Sequence, residues 1–193
     1  MLTDRKNTSI GLAFGWVITI LTLLVFLLCW EIISRSGLFN INLFPPPSIV
    51  LRAFISMLLS GELIKDILLS LQRVIIGFAI GSFLGIFLGI LTGRIKLLER
   101  TLGQLIQLFR PIPAIAFVPL AIVWFGLGES SKYFLITWGV FFPMWMNTYL
   151  GVSNVDTTLI WAAKSLGATD RKILYEVVLP YAVPFIIAGA RVG

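Results

Sequence analysis

The chain has 193 residues, 58% of them hydrophobic and only 12% charged, against roughly a quarter charged in ordinary soluble domains. Apolar stretches approach the ~20 residues that cross a bilayer, so a soluble globular class is excluded and an all-α, polytopic membrane protein is expected. The net charge of +6 then reads as membrane topology and not as nucleic-acid binding.

Residues Ile10 to Ile33 ("IGLAFGWVITILTLLVFLLCWEII") form the first expected span. Arg5 and Lys6 precede it, as in a signal peptide. The apolar run exceeds the ~7–15 residues of a signal h-region, however, and no small-residue cleavage site follows, so it reads as an uncleaved anchor. Cys29 is the one cysteine, lies inside this run and reads as apolar packing. Pro45, Pro46 and Pro47 then stiffen the chain and mark a boundary. Ile49, Val50, Ala53, Phe54 and Met57 follow at helical spacing, which predicts a short helix at the membrane interface.

The second span is expected from Val74 to Thr92. Gly77, Gly81, Gly85, Gly89 and Gly93 recur every fourth residue, giving a helix face without side chains where another backbone can come close. Tight helix packing and a sliding contact are both open to such a face, and packing is the simpler reading. Arg94, Lys96, Arg100 and Arg110 make a basic turn and helix. A third span, "PIPAIAFVPLAIVWFG", runs to about Gly126 and is made irregular by Pro111, Pro113 and Pro119. Irregular backbone at membrane depth survives only inside protein or beside a cavity, so Pro111 and Pro113 are candidates for a substrate pathway. The fourth span is expected from Tyr133 to Gly151 and carries a further pathway candidate, Asn147. A fifth apolar segment starts at Pro180 and has ~14 residues before the sequence stops, where ~20 are needed. The chain is therefore expected to be a fragment, with 1–193 one transmembrane domain.

With a cytoplasmic N-terminus, the inside loops carry nine Lys/Arg (Arg5, Lys6, Arg94, Lys96, Arg100, Arg110, Lys164, Arg171, Lys172) against five outside (Arg35, Arg52, Lys65, Arg73, Lys132). That bias favours a cytoplasmic N-terminus and places residues 152–180 in the cytoplasm. Within them, Asp156 can cap one helix, Gly167 can end it, and Thr169 with Asp170 can start a second. Ile173, Leu174, Val177 and Val178 form one apolar stripe on that second helix, and Ala162 with Ala163 gives the first helix a thin face. A docking element and an amphipathic loop on lipid headgroups both fit these residues.

The stretch from Trp161 to Pro180 resembles the cytoplasmic signature of ABC importer permeases: E-A-A, three residues, G, nine residues, I-x-L-P. Ala162, Ala163, Gly167, Val177, Leu179 and Pro180 fall at the matching spacing. Trp161 stands where the acidic residue usually is, and Val177 replaces isoleucine. Together with "LFPPPSIVLRAF" and "RPIPAIAFVPLAIVWFGLGES", the chain from about Leu43 onward is similar to the subgroup that imports sulfonates, taurine, nitrate or bicarbonate. The resemblance implies a type I ABC importer permease fold with about five of six transmembrane helices present. It also implies a bacterial inner-membrane location, a second permease copy (a homodimer), a cytoplasmic ABC ATPase dimer carrying ATP and Mg, and an external substrate-binding protein. Trp161, Ala162, Ala163, Gly167, Val177, Leu179 and Pro180 would be the ATPase-docking residues.

The sequence agrees with that division of labour. It contains no G-x-x-x-x-G-K-[ST] loop, so any nucleotide is expected on a separate subunit, and no cofactor is expected on this one. There is no histidine, and no nucleophile–base pair or metal-ligand cluster, so neither catalytic nor metal residues are expected. A membrane enzyme would have only scattered polar groups to use: Ser82, Thr137, Asn147 and Thr148. An ATP-independent secondary transporter or channel remains the alternative, because proline-broken helices also suit transporters. Arg191, ~17 Å along a helix from Pro180, is placed near mid-membrane. A charge there faces an aqueous path, where it would suit an anion, or a partner carboxylate.

Overall fold

The computed structural model describes residues 4–37 and 39–193, with side chains from Gly15 onward. Among the described residues every regular element is helical. The chain divides into two compact units, 1–67 and 68–193.

In the first unit, α1 (Asp4–Arg35) contains a 21-residue segment, Gly15–Arg35, long and apolar enough to cross a membrane. The side chains of Arg5, Lys6 and residues 10–14, part of the expected first span, lie outside the described residues. The proline run leads into α2 (Pro47–Ser60), which ends at Gly61 with φ +76. Pro46 at its N-cap offers no capping side chain, and Glu31 of α1 substitutes for one. Its carboxylate accepts from the Ser48 backbone N–H at 3.0 Å and from Ser48 Oγ at 2.7 Å, and Arg35 holds it from the side. A carboxylate is well placed at a helix start, where unpaired N–H groups carry partial positive charge. No residue of α2 is buried.

The second unit is organised around α7 (Glu129–Ser153), with α3 (Glu62–Arg94) along one side of it. Gly77, Gly81, Gly85, Gly89 and Gly93 of α3 lie against Ile136, Val140, Met144, Thr148 and Val152. Each partner is 59 positions later than its glycine, from 77 with 136 to 93 with 152, so the two helices run parallel in one register. A Cβ on any of the five would come within 2.6 to 2.8 Å of an α7 atom. The stripe is thus a tight packing face along ~24 Å of helix.

Two parallel helices require the intervening chain to return to its starting side. It does so through a bent pair, Lys96–Phe109 and Ala114–Phe125, that meet at 84°. The first arm is α4 (Lys96–Leu98), a π turn (Glu99–Gly103) and α5 (Gln104–Phe109); the second is a 3-10 turn (Ala114–Phe117) and α6 (Val118–Phe125). The irregularity expected of the third span is this bend, and the apolar stretch reaches back beyond Pro111 to Lys96. Pro111 and Pro113 remove two backbone donors, so the helix does not continue past Arg110, which still has helical φ −54 and ψ −42. Alone, the 12 residues after the bend reach only ~18 Å.

The expected fourth span is the 25-residue α7, yet α7 is not among the helices apolar enough to cross by composition. The physical reason is its position. It is flanked by other helices, so it carries Thr137, Trp138, Asn147, Thr148 and Tyr149 where a lipid-facing helix would carry aliphatics. Lying side by side with α3, it covers the same depth.

The last segment also departs from expectation. α9 (Asp170–Ile173), a π turn (Leu174–Val178) and α10 (Leu179–Val192) form one 23-residue helical rod, Asp170–Val192, instead of a helix that stops before a span starting at Pro180. In a regular helix the ring of Pro180 would strike a carbonyl one turn back. The wider π turn just before it, closed by Leu179 N–H on Leu174 O, opens the backbone there. α10 packs antiparallel on α7: Gly151 meets Ala182 and Phe185, and Gly189 meets Asn147 and Met144.

Candidate functional site

Two regions of the second unit carry the candidate site residues. The first is the connection 152–180. α8 (Thr157–Ser165) starts at Asp156, whose carboxylate accepts the Thr158 backbone N–H at 2.8 Å. That bond holds the Asp156 carboxyl below its ordinary range. α8 ends in a Schellman arrangement: Gly167 has φ +78, Ala168 N–H bonds Ala163 O at 3.0 Å, and Gly167 N–H bonds Lys164 O at 2.9 Å. Thr169 caps the next helix, accepting from Lys172 N–H at 3.4 Å.

This connection is anchored from below. Ile173, Val178, Ala182, Val152 and Val155 form a buried cluster, and Ala163, Ala168, Leu174 and Val177 pack against it. Of the alanine pair, then, Ala163 turns inward, and its small side chain lets α8 lie close to the bundle. Ala162 stays exposed. Trp161 is 68% exposed and Leu166 88% exposed, side by side with Ala162 and Gly167 on the outward side. Leu179 is half-buried and Pro180 exposed. Leu166 was not singled out in the sequence. Its signal was a bulky apolar residue directly before a helix-ending glycine, where solvent exposure is expected.

The second region is a cavity of about 330 Å³ beside the middle of α7. Its lining includes Pro113, Trp138, Pro143, Asn147 and Arg110. Two of the four expected pathway residues, Pro113 and Asn147, therefore meet here. Pro111 borders a neighbouring hollow of about 360 Å³ with Gln107 and Arg110. Arg191 is exposed and lines neither of these two hollows, although the adjacent Val192 lines the first. The Asn147 amide is turned along its own helix, donating to Pro143 O at 2.9 Å. Arg110 and Trp138 were missed as site residues. Arg110 was grouped with a basic loop, because the bend that carries it alongside α7 is not visible in composition.

The family model for the binding-protein-dependent transport system inner membrane component matches residues 81–193. The chain belongs to this family. The match covers the parallel α3–α7 pair from Gly81 onward, the bent pair, the 152–180 connection and α10 of this inner-membrane component. An ABC transporter permease protein of Methanocaldococcus jannaschii is 46% identical over 146 residues, 76% of this chain and 55% of the relative. An aliphatic sulfonates transport permease protein of Escherichia coli is 40% identical over 162 residues, 84% of this chain and 62% of the relative. A taurine transport system permease protein of the same organism is 34% identical over 204 residues, all of this chain and 74% of the relative. The family member described here thus spans between about half and two thirds of the length of the first two.

Proposed function

We propose that the chain is the transmembrane permease subunit of an ABC importer for a small anion, a sulfonate or taurine first and nitrate or bicarbonate next. The connection 152–180 docks onto a separate cytoplasmic ATPase dimer, which binds ATP and Mg. A second permease copy completes the path, and an external binding protein delivers substrate. The N-terminus is cytoplasmic. With Arg110 removed from the loop count, the Lys/Arg bias is eight against five and keeps its sign.

One observation carries this reading: α8 is fixed to the bundle through Ala163 and Ile173 while presenting Trp161, Ala162 and Leu166 outward. Apolar side chains held so far into solvent, on an element capped at both ends, suit a protein groove. The named substrates of the two Escherichia coli relatives support the anion class.

The test is Gly167→Asp in the membrane-embedded protein, co-expressed with the ATPase of its transporter. The left-handed backbone at φ +78 disfavours any Cβ, and a new charge would be desolvated in the groove. ATPase co-purification and uptake should fail together while membrane insertion persists. Gly167→Ala, whose Cβ would meet nothing within 4 Å, should lose only part of both. An aspartate variant that binds its ATPase and transports at the normal rate would sink the docking role. Uptake that persists without ATP would favour a channel or secondary transporter.

A further inference from the structure

Arg110 combines three properties that its place in the sequence does not announce. It lies at the bend of the broken span, in the cavity that also includes Trp138, Gly139, Pro143 and Asn147 of α7. Those α7 residues are 9 to 18 positions after Glu129 in a 25-residue helix, so the cavity is ~14–27 Å from that end, around mid-depth and inward of it. The Arg110 side chain also makes no hydrogen bond or ion pair among the described residues. Finally, it borders both the cavity and the adjoining hollow at Gln107 and Pro111, and so stands between two spaces of about 330 and 360 Å³.

The surroundings favour negative charge. No Asp or Glu is among the lining residues of either space. A charged side chain at this depth is costly and marks an ion or substrate path by default. A guanidinium presents a planar fork of donors that matches two oxygens of a carboxylate, sulfonate or bicarbonate. About 330 Å³ has room for a small anion.

We propose that Arg110 is the anion-selecting group of the permeation path. This rests on the permease reading above and replaces Arg191 as the residue that meets substrate. Arg191 lies at a similar level, since Gly189 packs on Asn147 and Gly193 on Val140, but it is turned away from the cavity. The anionic phosphate of a lipid headgroup and the transported oxyanion share the chemistry Arg110 would bind, and the test must separate them.

The protein is reconstituted with its ATPase and binding protein in phosphatidylcholine vesicles, with uptake of taurine and methanesulfonate measured beside ATP hydrolysis. Arg110→Gln should lower uptake at least tenfold while ATPase association and basal ATP hydrolysis persist. Arg110→Lys should recover part of it. Arg191→Gln should cost less than Arg110→Gln; the reverse ranking overturns the proposal, as does normal uptake by Arg110→Gln. A binding readout keeps the idea testable if a variant inserts poorly. In a Cys29→Ser background, Met146→Cys on the cavity wall should react with a soluble thiol reagent more slowly as methanesulfonate is added. Protection that is absent with Arg110 intact, or that does not rise with methanesulfonate, assigns Arg110 to lipid or to structure and ends the proposal. Wild-type protein that neither takes up any of these anions nor couples to ATP would instead defeat the permease reading itself.

Discussion

Trp145 of α7 donates its indole N–H to Thr92 Oγ1 of α3 at 3.1 Å, and both side chains are buried. The Thr92 hydroxyl in turn donates to Leu88 O at 2.7 Å. The parallel pair is thus pinned by one directional bond near the end where the glycine stripe finishes. Thr92→Val keeps the shape and strands the indole N–H, at a cost of about 1–3 kcal/mol. Thermal unfolding in detergent should show a lower midpoint for the valine variant and a nearly unchanged one for Thr92→Ser. Equal midpoints for valine and wild type would mean that the bond adds nothing.

Gly85 is the central glycine of the stripe, and a Cβ there would stand 2.6 Å from Met144 Cβ and 2.9 Å from Phe141 O. Backbone cannot yield as a flexible side chain can. Gly85→Ala should destabilise by about 1–3 kcal/mol, and Gly85→Leu should abolish assembly. Phe83→Leu, on the exposed face of the same helix, serves as the comparison and should leave yield intact. Normal expression and uptake by Gly85→Leu would contradict the parallel contact.

The glycine period was legible in the sequence because its spacing of four matches a helix turn, and so was the cap pair Asp156 and Gly167, because each residue type has one geometric use there. The pairing of that stripe with α7 was not. It depends on a partner 59 residues away, and nothing local encodes it. Pro111 and Pro113 announced an interruption without its angle, so Arg110 read as part of a loop. The low hydropathy of α7 and the π turn before Pro180 follow from neighbours and backbone strain, which residue spacing does not record.

Topology follows from the Lys/Arg bias. Single cysteines replacing Lys6, Lys96, Lys172 and Lys132, in a Cys29→Ser background, should divide three to one. Membrane-impermeant thiol reagents applied to intact cells should label position 132 alone. Labelling at position 172 would overturn both the orientation and the docking role.

The cap at Asp156 gives a pH expectation. Its folded-state pKa is depressed by the Thr158 N–H, so the cap stabilises α8 above the unfolded pKa of about 3.9 and is lost as pH falls through the lower folded value. Hydrogen exchange over α8 should therefore show unchanged protection from pH 7.5 to 5 after correction for intrinsic rates. Asp156→Ala should lose protection throughout that range, and Asp156→Asn should keep most of it, since its amide oxygen can still accept. Equal protection in the alanine variant would show that the anchoring cluster alone holds the helix.

The rod from Asp170 to Val192 ties these two regions mechanically. One end joins α8 through four residues, Leu166 to Thr169, and the other reaches the wall of the Arg110 cavity at Val192. Over ~33 Å of helix, a tilt of about 5° at the α8 end sweeps the far end by ~3 Å, which is the width of a water molecule. Leverage of that size makes a small push in the aqueous compartment large enough to widen or shut a narrow passage.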